Sequence, residues 1–349
     1  MKKLLVTGGA GYIGSHCCVA LTKVGYEVVA IDNLCVGKGD VIPRAARAAG
    51  GSIAFYELDI RDREGLRALF SRYQFDGVLH FAGLKSVGDS GARPRDYYDN
   101  NLGGTISLLE VMTDFGVRTL VFSSSATVYG DASASPISES APLVPTNPYG
   151  RTKEMIERML VDVSAADAKW RVSLLRYFNP VGAHESGLIG EDPEGIANNL
   201  MPYVAGVADG RYERLTVFGN DYPTPDGTGV RDYVHVMDLV EAHVAALNYL
   251  DQHAGSHAWN IGTGRGHSVL ELVRMFERVS GVLIPCEYGG RRLGDVAPLY
   301  ADPLAAKRDL AWCSRRDLRE MCQDTWRWVQ SEHRAPNRPS EIRITKKIN

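Results

Sequence analysis

The sequence predicts an α/β protein: a doubly wound parallel sheet with a smaller α/β unit after it. Three observations carry that expectation. Short apolar runs alternate with helical stretches through the first 180 residues, a rhythm that builds a parallel sheet covered on both faces. A glycine-rich turn separates the first apolar run from the first helix, where such a fold needs a tight turn. After about Asn179 glycine, proline and asparagine become frequent, and long loops in a compact protein are usually functional.

The elements follow in order. Lys3–Val6 is a strand, ended by Thr7-Gly8-Gly9, and Ile13–Val24 is a helix. Glu27–Ile31 and Ile53–Leu58 are strands, each followed by an aspartate, Asp32 and Asp59. Arg61–Arg72 is helical, Phe75–Phe81 a fourth strand, Tyr97–Phe115 one long helix and Thr119–Phe122 a fifth strand. A polar, proline-containing loop over 131–148 leads into a helix ending near Ala166, then a strand at Val172–Arg176. Shorter helices are expected at Val236–Leu250, Val269–Val279 and Arg316–Val329. Residues 1–180 then form a first unit, 181–330 a second, and 331–349 a polar tail.

Composition narrows the class. The chain has 349 residues, 44% hydrophobic and 23% charged, the balance of a globular protein with a substantial core. A net charge of -3 gives no electrostatic case for nucleic acid or an anionic membrane. The opening Met1–Val6 stops far short of a secretory apolar region of about 7 to 15 residues. No stretch approaches the roughly 18 apolar residues of a membrane span. Six cysteines without a C-x-x-C pair, two of them adjacent at Cys17-Cys18, fit reduced thiols in a cytoplasmic protein.

Gly8, Gly11 and Gly14 follow the first strand with the spacing G-x-x-G-x-x-G. Such glycines allow a tight turn, close backbone approach to a pyrophosphate, and helix–strand packing. The helix N-terminus beyond them offers amide donors to phosphate. This is the start of a Rossmann-type dinucleotide site. Asp32 ends the second strand, 18 residues past Gly14. A carboxylate there accepts bonds from an unmodified ribose and repels a 2′-phosphate, which favours NAD over NADP. Asp59 is placed to meet the adenine.

Tyr149 and Lys153 stand four residues apart, one turn apart on one helix face. A phenol ordinarily titrates near about 10, and an adjacent ammonium lowers that value. The pair therefore predicts a base beside a nicotinamide. His80, inside an apolar strand, reads as a core residue. His235 and His243 lack a third ligand at metal spacing, so no metal is expected. Gly37-Lys38-Gly39 lacks the flanking pattern of a phosphate-binding P-loop.

The glycine turn, Ser123-Ser124-Ser125 and Tyr149-x-x-x-Lys153 together resemble the extended short-chain dehydrogenase/reductase family. Longer strings narrow the likeness to its nucleotide-sugar 4-epimerases: Phe81–Lys85, Tyr97–Asn101, Ser123–Gly130, Leu175–Ala183 and Gly227–Val236. The resemblance runs from the first strand to about Val329.

It implies an isomerase that interconverts UDP-galactose and UDP-glucose with NAD. Tyr149 would be the base, Lys153 would lower its pKa and hold the nicotinamide ribose, and Ser125 would bond the sugar hydroxyl. Gly8, Gly11, Tyr12, Ile13, Gly14, Asp32, Asn33, Asp59, Ile60, Phe81, Ala82, Lys85, Asn100, Ser123, Tyr177 and Phe178 would line the NAD site. Lys85, Asn179, Asn199, Leu200, Phe218, Arg231, Tyr233, Arg292, Asp295 and Leu299 would hold the UDP-sugar. The residue types suit these roles. Arg231 and Arg292 carry forked donors for a pyrophosphate, Phe218 a face for uracil, and Asn179 and Asn199 uncharged donors. The family also implies a homodimer through a four-helix bundle, with Met155, Ile156, Met159 and Leu160 as the apolar stripe here.

Two other readings share these motifs. A nucleotide-sugar dehydratase or decarboxylase uses the same first half-reaction, but many carry an acid directly after the serine or threonine, where this chain has Ala126. A catalytically silent NAD sensor typically loses the Tyr/Lys pair, which is present here. Leu299 departs from the family, which places either a bulky tyrosine or a small residue there. Its intermediate size predicts turnover of the glucose/galactose pair with weaker activity on the N-acetylated pair. Relatives often carry an acid at the Leu293 position, which affects how Arg292 is placed.

Overall fold

Leu4 and Val6 face one hydrophobic core and Leu5 the other, because successive residues of a strand point to opposite faces and helices cover both sides of this sheet. The computed structural model describes residues 1–131, 135–193, 195–291 and 298–334. Its strands are β1 (Lys3–Thr7), β2 (Glu27–Asp32), β3 (Ile53–Glu57), β4 (Gly77–His80), β5 (Thr119–Ser125), β6 (Arg171–Tyr177), β7 (Asn179–Val181), β8 (Leu215–Phe218), β9 (Val230–His235), β10 (Gly255–Ile261), β11 (Gly266–Ser268), β12 (Cys286–Gly289) and β13 (Pro298–Leu299). The helices are α1 (Tyr12–Lys23), α2 (Val41–Ala49), α3 (Arg63–Arg72), α4 (Val87–Ala92), α5 (Pro94–Tyr97), α6 (Gly104–Asp114), α7 (Pro148–Ala166), α8 (Leu200–Ala208), α9 (Val236–Leu250), α10 (Val269–Ser280), α11 (Leu304–Leu310) and α12 (Leu318–Arg334).

The main sheet has seven strands in the order β10-β6-β5-β4-β1-β2-β3, all parallel. One core joins it to α1, α2, α9 and α11. The opposite core joins it to α3, α6 and α7. After β3 the chain crosses back over β1 to begin β4. The crevice between the carboxyl ends of β1 and β4 is therefore the topological switch point, where ligands of open α/β sheets bind.

The second unit is organised by β9, which pairs with β7, β11 and β13. A third core packs α8, α10 and α12 around Val204, Phe276 and Met321. Asp232, fully buried on β9, accepts bonds from Thr263 N (2.8 Å), Thr263 Oγ1 (2.6 Å), Gly264 N (3.0 Å) and Ala301 N (3.1 Å). Its carboxylate is thus used to fasten the loops beside β9.

Three features depart from the sequence expectation. The sheet gains its seventh strand from 255–261, and α9 packs against α1. The first structural layer therefore draws on residues beyond 180. The helix α2 was not foreseen, since Pro43 and flanking glycines mask a short amphipathic turn. The stretch predicted as one helix over 97–115 is broken by a π-helical turn at Tyr98–Gly103, a device common at functional sites. Of the tail, 331–334 complete α12, and 335–349 lie outside the described residues.

Candidate active site

The glycine turn is built by sterics. Gly8 has φ +68, and a Cβ there would stand 2.6 Å from the amide nitrogen of Ala82 at the end of β4. A Cβ on Gly14 would lie 2.1 Å from the Gly8 carbonyl oxygen. Gly11 is different: its Cβ would meet only that same oxygen, at 3.2 Å, so its hydrogen leaves open space in front of α1. Gly11 caps α1 without a side-chain bond, and the first turn carries no acid. The amides of that turn are thus presented outward, as an anion site requires.

Asp32 is buried behind this turn and accepts from Ala10 N (3.0 Å) and Leu34 N (2.9 Å). Burial raises its pKa, with those amide bonds opposing. Asn33 donates to Asp59 (2.8 Å). Asp59 is held down to about 2, chiefly by its hydrogen bond from Arg61. Ile60 is buried in the core on that side, and Phe81 packs its ring 4.9 Å from His243.

His80 is a satisfied core residue. Thr7 Oγ1 accepts from Ala82 N (3.2 Å), so its proton goes to His80 Nδ1 (2.7 Å). Thr105 donates to Asn101 O (2.6 Å) and therefore accepts from His80 Nε2 (2.9 Å). Burial keeps the ring neutral, with its pKa lowered to about 3. His243 is likewise lowered to about 4 by burial. Its Nδ1 donates to Leu239 O (2.8 Å), and Nε2 accepts from the Tyr177 hydroxyl (2.5 Å).

Tyr149 sits in the first turn of α7. Asn147 caps that helix by accepting from Gly150 N (2.8 Å), and Pro148 opens it. Lys153, one turn on, is 4% exposed and donates to Ser123 O (2.6 Å) at the end of β5. Its ammonium lies 5.9 Å from the centre of the Tyr149 ring and 4.8 Å from that of Phe122. Ser125 Oγ accepts from Thr127 N (3.2 Å) and Thr127 Oγ1 (3.0 Å). Its own proton is left to donate to the Tyr149 oxygen, a bond that favours the phenolate.

The direction of the Tyr149 shift reverses the sequence expectation. Burial pushes the phenol up to about 12, against the lowering effect of Ser125. Burial also lowers Lys153 to about 8, with the Glu157 carboxylate opposing. Spacing alone supplies the ammonium but not the desolvation, which here is the larger effect on both groups.

The other candidates group as follows. Asn100 donates to Asn101 Oδ1 (3.0 Å). Asn101, which the sequence reading did not single out, also accepts from Leu84 N (2.8 Å) and donates to Thr152 on α7 (3.1 Å). The π turn aims both asparagines inward, and no periodicity announces that. Lys85 and Asn199 both reach Glu191 Oε1, at 3.2 and 2.9 Å. The Tyr12 hydroxyl donates to Gly182 O (2.7 Å). Ile13 follows it in the first turn of α1.

Register on β9 gathers the distal set. Leu299 stands opposite Arg231, and Asn179 opposite Tyr233. Phe178 and Leu299 share a small cluster with Ala126 and Tyr129. Phe218 ends β8 beside Gly289. Leu200 opens α8 and packs on the third core, where Tyr233 is buried. Arg292, Leu293 and Asp295 lie outside the described residues.

Residues 4–262 match the NAD dependent epimerase/dehydratase family. The chain is 56% identical to a UDP-glucose 4-epimerase of Bacillus subtilis (strain 168) over 328 residues, 94% of this chain and 97% of the relative. A crystal structure of UDP-glucose-4-epimerase from Stenotrophomonas maltophila, with bound NAD and formylated UDP-arabinopyranose, superposes with TM-score 0.94. It is 50% identical and the match covers 96% of this chain and all of the other. A UDP-glucose 4-epimerase from Bifidobacterium longum in complex with NAD+ and UDP gives TM-score 0.92 at 45% identity, over 95% of this chain and 99% of the other.

The open space at Gly11, the uncapped α1 and the acceptor Asp32 fit NAD. In Gly11→Val the branched side chain would fill that space while the Gly8–Ala82 contact stays intact. The variant is expected to bind NAD at least tenfold more weakly, the effect of about 1.4 kcal/mol, with a melting temperature lowered only modestly by crowding of the Gly8 carbonyl, 3.2 Å from the new Cβ. Isothermal titration and differential scanning calorimetry check the two halves of this statement.

Proposed function

The chain belongs to the NAD dependent epimerase/dehydratase family, and on that premise we propose that it interconverts UDP-galactose and UDP-glucose by inverting C4 of the sugar. The observation that carries the reading is the convergence of Ser125, Tyr149 and Lys153, with buried Ala126 in the place where many dehydratases carry an acid.

Gly8 through Gly14, Asp32, Asn33, Asp59, Phe81, Ala82, Asn100, Ser123, Tyr177 and Phe178 hold NAD, with Lys153 at its ribose. NAD held by these residues would supply the acceptor for the hydride of sugar C4 and the donor for its return. Tyr149 Oη takes the proton from the 4-hydroxyl in one half-reaction and gives it back in the other. Ser125 bonds the sugar 4-hydroxyl and relays its proton, giving its own to the phenolate oxygen as it takes that of the sugar. Lys153 supplies a fixed positive charge beside the base. Placing these groups before reaction lowers the barrier by orientation and electrostatics.

Between half-reactions the 4-keto sugar must turn over. The protein therefore holds UDP firmly and the sugar loosely, so binding energy is spent away from the reacting carbon. The residues on and beside β9 (Asn179, Arg231 and Leu299) suit that division, together with Phe218, Asn199, Lys85, Arg292 and Asp295. On this reading residues 1–180, with α9 and β10, carry the cofactor, and the remainder of 181–330 carries UDP.

The protein acts as a homodimer in the cytoplasm. Ile106 on α6 and Met155 and Val161 on α7 are each at least 40% exposed, apolar surface suited to a four-helix contact with a second copy. Ile156 and Leu160, also expected in that stripe, are instead buried in the main core, and Met159 packs against it. Six free thiols suit a reducing compartment.

In a coupled assay with a UDP-glucose-specific dehydrogenase, the protein is expected to produce NADH from UDP-galactose. Tyr149→Phe loses about 10²–10⁴-fold in kcat with NAD content unchanged. Silence of the NAD-loaded wild type would sink the reading. Leu299→Tyr lowers turnover of UDP-N-acetylgalactosamine relative to UDP-galactose by about tenfold or more; unchanged selectivity removes Leu299 as the gate. Sedimentation of the wild type is expected to give a dimer that Met155→Arg dissociates, and a wild-type monomer at assay concentration would refute the assembly.

A further inference from the structure

Glu157 lies one helical turn beyond Lys153 on α7, so the two side chains share a face. It is 2% exposed, an expensive place for a carboxylate unless every lone pair is used. Every partner is present. Arg176 donates through Nε to Oε1 (3.0 Å) and through Nη2 to Oε2 (2.6 Å), and the Ser124 hydroxyl also donates to Oε1. Ser124 and Arg176 are register partners on β5 and β6. One carboxylate thus bolts α7 to two adjacent strands, immediately below Ser123 and Ser125.

The bolt continues outward. Arg176 Nη1 donates to the Tyr129 hydroxyl (3.0 Å) and to Glu139 O (3.0 Å), and Tyr129 donates to Asn260 on β10 (2.6 Å). A structural role alone would be met by any well-packed apolar set. The position points further. Lys153 is buried, and among the described residues packed around it only Glu157 brings a negative charge to bear on it. His80 on β4 is neutral, and Tyr149 and Tyr177 carry phenols held protonated by burial. Arg176 on β6 is positive but turned onto Glu157 itself.

We propose that Glu157 is a positioning residue for the candidate catalytic pair: clamped by Arg176 and Ser124, its carboxylate sustains the charge of the Lys153 ammonium and fixes α7 against the strand that carries Ser123 and Ser125. The inference rests on the role of Lys153 given above. It also explains why Lys153, though stripped of water, remains a cation at neutral pH. Burial favours the neutral amine, and a fixed anion one turn away opposes it.

The experiment reads Lys153 directly. Protein carrying isotope-labelled lysine is titrated by NMR at Cε, the Lys153 signal being assigned by its loss in Lys153→Met. In Glu157→Gln the Lys153 pKa is expected to fall by about one unit. The alkaline limb of UDP-galactose turnover moves to lower pH with it, because the cation is lost earlier as pH rises. Glu157→Gln leaves Arg176 unpaired, so Glu157→Gln/Arg176→Met is prepared alongside it. The double variant keeps the core neutral, and a smaller shift in the same direction is expected. A Lys153 titration unmoved in either folded variant overturns the proposal, whatever happens to kcat. A wild type without turnover whose Lys153 still responds to Glu157→Gln refutes the epimerase reading instead.

Discussion

The buried pair of Arg176 and Glu157 is the interaction on which the site depends. A parallel sheet offers its functional residues only at strand ends, and those ends are loops unless something holds them. Here the last residues of β5, the middle of α7 and the strand β6 are joined through one carboxylate, 2.6 Å from the guanidinium. Breaking such a pair by removing one partner costs about 3–5 kcal/mol, a large fraction of a typical stability of about 5–15 kcal/mol. Because the pair lies directly under Ser123 and Ser125, the energy that stabilises the sheet also fixes the geometry of the chemistry.

The cofactor side is fixed by a different constraint, close contact. Gly8 packs against Ala82 and Gly14 against Gly8 with no room for a methyl group. Thr7, His80 and Thr105 form a buried chain of hydrogen bonds behind them, each donor matched to one acceptor. A rigid turn backed by a satisfied polar core needs little reorganisation when a dinucleotide arrives. The proposed UDP side differs in kind. Lys85 and Asn199 meet through Glu191 on an irregular loop, and the candidate gate Leu299 ends a strand of only two residues.

Much of this was legible in the sequence because its causes are local. The first six strands each carry an apolar run, the first three ended by glycine or aspartate, and Tyr149 and Lys153 are related by helical spacing that a single line of sequence displays. What escaped is what depends on neighbours in space. The strand β10 mixes His257, Trp259 and Asn260, since an edge strand is packed by loops and by Glu139 as well as by a sheet partner. Asn101 is aimed by a π turn that leaves no apolar signature. The role of Glu157 needs Arg176, nineteen positions on, brought beside it by strand register. The shift of Tyr149 came out reversed because charge can be read from spacing and burial cannot.

That reversal bears on how the proposed base works. A phenol at about 12 is a poor base at neutral pH and a strong one once ionised. A site that must take a proton and then return it gains from both properties. If Tyr149 were strongly acidic, its phenolate would be too weak a base to take the 4-hydroxyl proton as the hydride leaves C4. If it were an ordinary buried tyrosine, the first half-reaction would not begin. Ser125 and Lys153 are the two groups placed to move it between these limits: one through a hydrogen bond to the oxygen, the other through an ammonium whose pKa burial has lowered to about 8. The efficiency of proton transfer peaks when the donor and acceptor are matched near the working pH. The geometry is therefore that of a base balanced by its surroundings, in which the carboxylate of Glu157 sets how much cation Lys153 has to give.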